Sequence, residues 1–489
     1  LTPQVATMIP SAGTTAGGTQ VSIFGSKFSG ATAVSFGTAP AASFTVDSAT
    51  EITATTPGGT AGSVDVTVTG PAGTSPVVAA DRFTYVTPAQ PDPYHPLSPS
   101  RICDTRASQP QNQCTGKTLH AGSTLTVQAA GNGGVPASGV TAVVVNVTVT
   151  DTTAGSYLTV FPAGQSPPTA SSANWPAGAT VADLATVALS SSGELSVTNA
   201  NGSADVAVDV EGYFAPATRQ GAGLYEALAV PARVCDTRPA NPSQLSGTVL
   251  TQCEGKAPGA KSSLDVQVTG EGGVPSTGVG AVVLDVTAVD PAGGGYLTVY
   301  PATGTAPVAS NVNYKSGATV PNRVIVAVSS SGAIAVYASG GNPQVLVDVA
   351  GYVTDGSNAQ ATGAIFTPAA APVRVCDTRS GLSYTTPCTT KTLGPAGTLT
   401  ATVAGTDGIP SAVTAVVATV TATNTTAAGW LTVWPAQETR PTTSDLNWAS
   451  GETTPNLVIA TVSPSGQVEI YNAFGTADVV VDVVGWFST

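Results

Sequence analysis

The sequence predicts an all-β protein composed of tandem β-sandwich domains. Apolar and hydroxyl residues alternate along many short segments, such as Ala142–Thr150, and this alternation is typical of strands. No long segment has the apolar period of an amphipathic helix. A block of roughly 130 residues occurs three times, which indicates an array of similar units. The length of 489 residues suits about three or four domains.

The composition argues against several classes of partner. Only 9% of the residues are charged and the formal net charge is −13, whereas nucleic acids and anionic membrane surfaces are bound through clustered Lys and Arg. No run approaches the ~18 apolar residues that a membrane span needs. We therefore expect no nucleic-acid partner and no membrane insertion.

The N-terminal module, residues 1–87, consists of short alternating segments between Gly and Pro turns. It contains Gly-Gly-Thr-Gln-Val-Ser-Ile-Phe-Gly from Gly17, then Ala-Val-Ser-Phe-Gly from Ala33 and Ile-Thr-Ala-Thr-Thr-Pro from Ile52. This order resembles the IPT/TIG family of immunoglobulin-like domains over the whole module. The resemblance implies an immunoglobulin-like sandwich that serves as a spacer or adhesive module in secreted bacterial proteins.

Three repeated sandwich modules follow, with predicted bounds of 94–216, 224–355 and 366–489. Each opens with Arg-x-Cys-Asp-Thr-Arg, at Arg101, Arg233 and Arg374, and closes with Val-Asp-Val-x-Gly-aromatic. A proline-rich linker over 87–98 and Gly-, Ala- and Thr-rich segments near 217–223 and 356–365 join the units, so we expect them in a row. The repeat resembles an uncharacterised repeat of secreted proteins from actinobacteria and similar bacteria, which implies an extracellular location.

The six cysteines fall two to a module, at short separations and without a Cys-x-x-Cys motif. This spacing predicts three local disulfides and an oxidising, extracytoplasmic setting. Zinc is the alternative, but each module has only two thiols and no recurring histidine. The predicted pairs are Cys103 with Cys114, Cys235 with Cys253, and Cys376 with Cys388.

An aspartate recurs within the closing strand of every module, where β-propensity disfavours it. We expect an ion pair with an arginine of the opening motif, which would tie the first and last strands together. The second arginine of the motif is the first choice, the first arginine is the alternative, and a calcium site is a further alternative. The predicted pairs are Arg106 with Asp209, Arg238 with Asp348, and Arg379 with Asp482; the alternative arginines are Arg101, Arg233 and Arg374.

Aromatic residues recur at matched positions in and after the Leu-Thr-Val strand of every module. The first interpretation is that these residues pack in a sandwich core or between modules. The alternative is a glycan-binding platform, because aromatic side chains with polar tips stack on sugar rings. They are Tyr157, Phe161 and Trp175 in the first module, Tyr296, Tyr300 and Tyr314 in the second, and Trp430, Trp434 and Trp448 in the third.

Arrays of repeated domains usually bind, span or assemble. We therefore expect a secreted structural or adhesive protein of the cell surface, such as the subunit of an extracellular fibre or surface layer. Its partners would be further copies of itself or other surface proteins. The alternative is a carbohydrate-binding protein that uses the aromatic residues to bind cell-wall or other polysaccharide.

Motifs of catalysis are scarce in the sequence. The two histidines, His95 and His120, have no counterparts in the other modules, and neither Gly-x-Ser-x-Gly nor His-Glu-x-x-His occurs. We therefore expect a protein that is not an enzyme and that uses no cofactor and no metal.

Overall fold

The computed structural model describes residues 2–15, 17–78, 81–86, 92–109, 112–168, 170–216, 220–302, 305–358, 361, 363–382, 384–441 and 443–489. Its regular structure is almost entirely β-strand, which confirms the all-β prediction. A five-residue helix, α1, spans Gly247–Thr251. Among the described residues, no helix has the length and hydrophobicity required to cross a membrane. Residues 87–91, 217–219, 359, 360 and 362 of the predicted linkers lie outside the described part.

The N-terminal module consists of two β-sheets that enclose one apolar core. Its strands are β1 (Gln4–Ile9), β2 (Ala12–Thr14), β3 (Gln20–Ser26), β4 (Ala33–Phe36), β5 (Ala39–Pro40), β6 (Ser43–Val46), β7 (Glu51–Thr55), β8 (Gly62–Gly70), β9 (Gly73–Thr74) and β10 (Arg82–Val86). One sheet has the order β1-β3-β7-β6, and the other has the order β2-β10-β8-β4-β5 with β9 paired to β8. Alternate residues such as Val21 and Ile23 of β3 point into the core and are fully buried, as the period of two requires.

The three repeated modules share one strand plan. The first has β11 (Tyr94–Asp104), β12 (Leu119–His120), β13 (Thr124–Gln128), β14 (Ala142–Thr150), β15 (Ser156–Pro162), β16 (Ala173–Trp175), β17 (Val181–Ala188), β18 (Glu194–Asn199) and β19 (Ser203–Phe214). The second has β20 (Ala222–Asp236), β21 (Ser262–Gln267), β22 (Val279–Val289), β23 (Gly295–Pro301), β24 (Val312–Tyr314), β25 (Thr319–Ala327), β26 (Ala333–Ala338) and β27 (Gln344–Asp355). The third has β28 (Ile365–Asp377), β29 (Gly397–Thr402), β30 (Ala415–Thr423), β31 (Gly429–Pro435), β32 (Leu446–Trp448), β33 (Thr454–Thr461), β34 (Gln467–Asn472) and β35 (Asp478–Ser488).

Each module is a sandwich of two antiparallel sheets. The long opening and closing strands lie side by side in the sheet that we call inner, with the orders β11-β19-β14-β17, β20-β27-β22-β25 and β28-β35-β30-β33. The sheet that we call outer has the orders β13-β18-β15-β16, β21-β26-β23-β24 and β29-β34-β31-β32. In the first module, β12 also pairs with β19.

The inner sheet is covered on both faces. In β14, Val143, Val145 and Val147 point towards the outer sheet and belong to the core of their own module. Ala142 and Val144 point the other way and belong to a second core. A sheet buried on both faces favours continuous apolar runs, which explains why its central strands are so rich in valine.

The second core is shared by all three modules, whose inner sheets pack against one another. Phe214 of the first module stacks on Phe366 of the third, with ring centroids 4.2 Å apart, and Tyr225 of the second lies 4.3 Å from Phe487 of the third. The expected arrangement of these modules in a row is therefore wrong. The second face of each inner sheet carries apolar side chains, and packing against the other modules removes them from water.

The three interfaces repeat the same hydrogen bond and close into a ring. The N–H of Leu184 donates to Oδ1 of Asn322 at 3.3 Å, and the N–H of Arg323 donates to Oδ1 of Asn456 at 3.3 Å. The N–H of Leu457 donates in turn to the carboxylate of Asp183 in the first module. Acceptors at matched positions of β17, β25 and β33 thus connect module one to two, two to three, and three to one.

The glycine of the closing motif is required by the shared core. A Cβ atom at Gly485 would overlap the ring of Phe366, and one at Gly212 would overlap the ring of Tyr94. Both rings belong to the shared core. The recurrence of Val-Asp-Val-x-Gly therefore reflects the packing of the opening strand against the closing strand.

The N-terminal module lies against the third repeated module. The rings of Phe24 and Tyr384 are 6.5 Å apart, and β2 contacts β28. This places the N-terminal module beside the ring rather than in the shared core, to which it contributes no residue among those described.

Candidate functional site

The structure joins the cysteines as three disulfides within the modules. Cys103 bonds to Cys114, Cys235 to Cys253 and Cys376 to Cys388, across sequence separations of 11, 18 and 12 residues. All six are buried, and each bond attaches the loop after the opening strand to the module core. In the described part of the chain, no group of three or more His, Cys, Asp or Glu side chains is placed to hold a metal ion.

The closing-strand aspartates pair with the first arginine of each motif, so the first-choice pairing with Arg106, Arg238 and Arg379 is wrong. Arg101 Nε donates to Oδ1 of Asp209 at 2.7 Å and its Nη2 donates to Oδ2 at 2.8 Å. The same bidentate contacts join Arg233 to Asp348 and Arg374 to Asp482. Register explains the outcome, because Arg101 and Asp209 are directly opposite each other on adjacent antiparallel strands.

The second arginine of the motif pairs locally with the motif's own aspartate. Arg106 Nε and Nη2 donate to the two carboxylate oxygens of Asp104 at 3.0 and 2.6 Å, and Arg238 and Arg379 do the same. Burial alone would raise the pKa of Asp104, but the hydrogen bonds and charge of Arg106 together with the charge of Arg101 hold it below its ordinary value. The Arg-x-Cys-Asp-Thr-Arg motif is thus a structural clamp between the opening and closing strands.

Further buried charges lie between modules. Glu211 accepts a hydrogen bond from the Asn311 amide, and its Oε2 has no partner among the described residues. Burial, reinforced by the charge of Asp209, raises the pKa of Glu211 to about 8. Arg323 is fully buried, with Nη2 at 2.6 Å from Oδ1 of Asp445 and 3.6 Å from Oδ2 of Asp285. These groups lie at the interfaces between modules and face no open surface.

Six of the nine aromatic residues are buried, as the packing interpretation expects, so the glycan-binding alternative is wrong for them. Trp175, Tyr314 and Trp448 point into the cores of their own modules. Phe161, Tyr300 and Trp434 lie on the other face of the outer sheet and are also buried. The loop that follows each of their strands folds back over that face. Its contacts include Thr159 Oγ1 donating to the Ala170 carbonyl at 2.7 Å and Trp434 Nε1 donating to the Glu438 carbonyl at 3.1 Å.

The other three aromatic residues are accessible to solvent, and they occupy one equivalent position in the three modules. Tyr157 is 41% exposed and Tyr296 is 37% exposed. Trp430 is partly exposed. Each is the second residue of its strand, directly after the Ser or Gly at which β15, β23 or β31 begins. Each module therefore presents an accessible aromatic ring on its outer sheet, from the strand next to the edge strand.

An asparagine lies opposite each of these rings. Tyr157 is in register with Asn174, Tyr296 with Asn313 and Trp430 with Asn447, so each pair shares the solvent-facing side of two adjacent strands. We call them the aromatic–asparagine pairs. Each amide donates to a nearby serine hydroxyl, which holds it in place: Asn174 to Ser171 at 2.9 Å, Asn313 to Ser310 at 3.2 Å and Asn447 to Ser444 at 3.0 Å.

The second and third modules add another aromatic residue beside the pair. Tyr337 lies 6.5 Å from Tyr296, and Tyr471 lies 5.3 Å from Trp430, measured between ring centroids. In the third module, the guanidinium carbon of Arg440 lies 3.7 Å from the centroid of the Tyr471 ring. The third module thus has the largest group of accessible aromatic and polar side chains on its outer sheet.

Sequence reasoning missed the asparagines, Tyr337, Tyr471 and Arg440. A signal for the asparagines was present, because each module has Asn followed by an aromatic residue at Trp175, Tyr314 or Trp448. Alternation places neighbours on opposite faces of a strand, so a buried aromatic at this position implies an outward asparagine. Only the cross-strand register shows that this asparagine meets the exposed ring.

A family model described as the IPT/TIG domain matches residues 3–85. No curated protein matches the chain. Among solved structures, an SGBP-B from a complex xyloglucan utilization locus in Bacteroides uniformis is 12% identical, with 73% of this chain and 100% of that chain covered and a TM-score of 0.19. A triple jelly-roll protein of an archaeal virus is 10% identical, with 81% and 90% covered and a TM-score of 0.17.

A Bacteroides ovatus SGBP-B of a mixed-linkage glucan utilization locus, in complex with a mixed-linkage heptasaccharide, is 16% identical over 42% of this chain and 51% of that chain, with a TM-score of 0.16. TM-scores this low mean that the overall arrangements differ, so these similarities give no indication of what this chain does. The N-terminal match agrees with the two-sheet sandwich of β1 to β10. Residues 3–85 are therefore an IPT/TIG domain, and three disulfide-bonded β-sandwich modules follow it.

Proposed function

We propose that the chain is an extracellular, non-catalytic carbohydrate-binding protein whose three aromatic–asparagine pairs each contact a sugar. The observation that carries this proposal is the accessible ring with an ordered amide beside it, repeated at one position in all three modules. The chemistry matches a sugar. The C–H face of a pyranose packs on an aromatic ring, and its equatorial hydroxyls need donors and acceptors at the ring's edge.

The serine contacts support binding rather than packing. An asparagine amide carries two N–H donors and a carbonyl acceptor, and among the described residues each of the three amides donates one side-chain hydrogen bond, to a serine. The remaining donor and acceptor can serve hydroxyl groups of a ligand. Because the serine holds the amide in one orientation, less conformational entropy is lost on binding.

The disulfides support an extracellular location. The chain has three buried disulfide bonds. Structural disulfides are common in proteins of oxidising compartments and rare in those of reducing compartments. Polysaccharides of cell walls and matrices are found in the same setting. Three sites on one compact chain would also bind a repeating polymer with avidity, since the second and third contacts become intramolecular.

The fibre hypothesis stays a prediction with less support. It assumed units in a row with free sheet edges at both ends. The modules instead close into a ring, and one edge strand of each outer sheet, β16, β24 or β32, lies against an inner-sheet strand of a neighbouring module, which leaves fewer open edges for strand addition. Electron microscopy of the purified protein would test it directly.

Affinity electrophoresis tests the binding proposal. The full chain would be run through native gels that contain a neutral glucan, xylan, mannan or galactan. We expect at least one polysaccharide to retard it. The combined variant Tyr157→Ala/Tyr296→Ala/Trp430→Ala should lose this retardation. A single Trp430→Ala change should weaken binding by about 5- to 10-fold, the size of one lost stacking contact.

The matched control is Val77→Ala, which removes an apolar side chain that is 59% exposed and lies outside the repeated modules. It should bind as the unmodified chain does. The proposal is contradicted if no polysaccharide retards the chain, or if the triple variant is retarded as strongly as the chain itself.

A further inference from the structure

Arg440 differs from the other arginines of the protein in what it contacts. Seven of the described arginines form close ion pairs with carboxylates. An eighth, Arg82, makes a longer contact of 3.6 Å with Asp65. Arg440 is the one described arginine that forms no such pair. Its guanidinium carbon instead lies over the ring of Tyr471, 3.7 Å from the centroid. This distance is that of a cation–π contact, which holds the guanidinium beside the ring without neutralising its charge.

The position of Arg440 places this charge at the aromatic–asparagine pair of the third module. Tyr471 is in register with Thr432 of β31, and its ring lies 5.3 Å from that of Trp430. Trp430 in turn is opposite Asn447. A stacking ring, an amide and an unpaired guanidinium therefore share one solvent-facing surface.

The equivalent loops of the other modules have no cation. Counting five residues from the proline that ends β15, β23 and β31, the matched positions are Pro167, Ala306 and Arg440. The loops have equal length there, because the threonine of each strand donates to the carbonyl eleven residues later in all three modules. The charge is thus a property of the third module alone.

We infer that the third module binds an anionic glycan and that the Arg440 guanidinium takes its carboxylate or sulfate group. This inference rests on the proposed function and gives the ligand of one of its sites. A planar guanidinium offers parallel N–H donors that match a carboxylate or sulfate in a bidentate manner. Because the protein has a net charge of −13, general attraction of anions is unfavourable, and a selective site needs a local cation held in place.

Two acidic residues lie near this surface and oppose the anion. Glu469 is two residues from Tyr471 on β34 and opposite Trp434, and Glu438 precedes Arg440 by two residues. Neither pairs with Arg440 among the described residues. Replacing Glu469 with Gln is therefore expected to strengthen binding of an anionic glycan by about 2- to 5-fold, the effect of removing one like charge at an exposed site.

The experiment uses polygalacturonate and its fully methyl-esterified form, which has the same sugar backbone without the charge. Dextran sulfate and uncharged dextran provide the same comparison for sulfate. The full chain should bind one of the two anionic polymers at least about 10-fold more tightly than its uncharged form, with affinity falling as salt rises. Arg440→Gln should bind the charged and uncharged forms equally. Dependence on Arg440 with polygalacturonate indicates a carboxylate, and with dextran sulfate it indicates a sulfate ester.

The second module supplies a gain-of-function arm. Ala306→Arg in the Arg440→Gln background should restore the preference for the charged polymer, because it places a cation beside Tyr296 and Tyr337. The inference fails if Arg440→Gln still prefers the charged polymer over its uncharged form. It also fails if the unmodified chain shows no such preference. In both cases the proposed function stands, provided that neutral polysaccharides still bind through Trp430. If neither charged nor neutral polymers bind, the proposed function itself fails.

Discussion

Replacing Arg323 with leucine is expected to destabilise the ring of modules. Arg323 is fully buried, contacts the carboxylates of Asp445 and Asp285, and donates through Nε to the Leu457 carbonyl at 3.4 Å. Arg323→Leu leaves these two buried carboxylates without their cation, and removing one partner of a buried pair costs about 3–5 kcal/mol. The new residue itself should fit, since leucine occupies the matched positions Leu184 and Leu457.

The size of the melting shift reports how much of the chain unfolds together. An unfolding entropy of about 2.1 cal/mol/K per residue over roughly 400 residues gives about 0.8 kcal/mol/K, so a loss of about 4 kcal/mol lowers Tm by about 5 °C. If the second module unfolded alone, roughly 130 residues would give a shift of about 15 °C. Differential scanning calorimetry measures both the shift and the enthalpy of the transition.

The loss of stability in Arg323→Leu should depend on pH, because it comes from two buried carboxylates. Burial raises the pKa values of Asp285 and Asp445, so their ionisation destabilises the folded chain increasingly as pH rises, and the effect of Arg323→Leu should be smaller at about pH 5 than at about pH 7. The control variant adds Asp285→Asn and Asp445→Asn to Arg323→Leu. Asparagine is already present at the matched positions of other modules, since Asn146 matches Asp285 and Asn311 matches Asp445. With all three changes, stability should return to that of the unmodified chain or exceed it. A loss below about 0.5 kcal/mol for Arg323→Leu alone, independent of pH, would refute the reasoning.

Three other predictions concern the same framework. The folded-state pKa of Glu211 is raised from 4.5 to about 8, so the protonated carboxyl contributes its full stability below about pH 4.5 and this contribution is lost as pH rises through about 8. Glu211→Gln should remove this pH-dependent loss of stability, which urea denaturation at several pH values measures. Replacing Cys235 and Cys253 by serine should lower stability by about 3 kcal/mol through release of the 18-residue loop, and an unchanged denaturation midpoint would contradict this. Gly485→Ala should cost about 1–3 kcal/mol because its Cβ overlaps the ring of Phe366, and Phe366→Leu should relieve part of that cost in the double variant.

Periodicity and spacing were sufficient for the fold of a module. The alternation in Ala142–Thr150 correctly separates the valines of the module core from the mixed face that carries Ala142 and Val144. What covers that mixed face could not be predicted, because a mixed face suits solvent and an interface equally well. Its polar members find their partners in the next module: the Asn146 amide donates to the Ser310 carbonyl and accepts from the Asn322 amide, and the hydroxyls of Thr148 and Ser310 share a hydrogen bond, across 162 to 176 residues of sequence.

The candidate site was predicted in part, for a related reason. The sequence placed Tyr157 and Phe161 on the strand face opposite the aliphatic residues, but alternation alone cannot separate Tyr157, which is exposed, from Phe161, which a loop covers. The choice between Arg101 and Arg106 likewise depends on register. The two residues lie on the same motif, yet only Arg101 is directly opposite Asp209.

Small-angle X-ray scattering of the full chain tests the ring of modules most directly. A compact chain of this length has a radius of gyration of about 23 Å. Four sandwiches in a row, each about 35 Å long, would extend over about 140 Å and give a radius of gyration of about 40 Å. The shared core predicts a value close to the compact one, unchanged from low to physiological salt, whereas a value near 40 Å would contradict it.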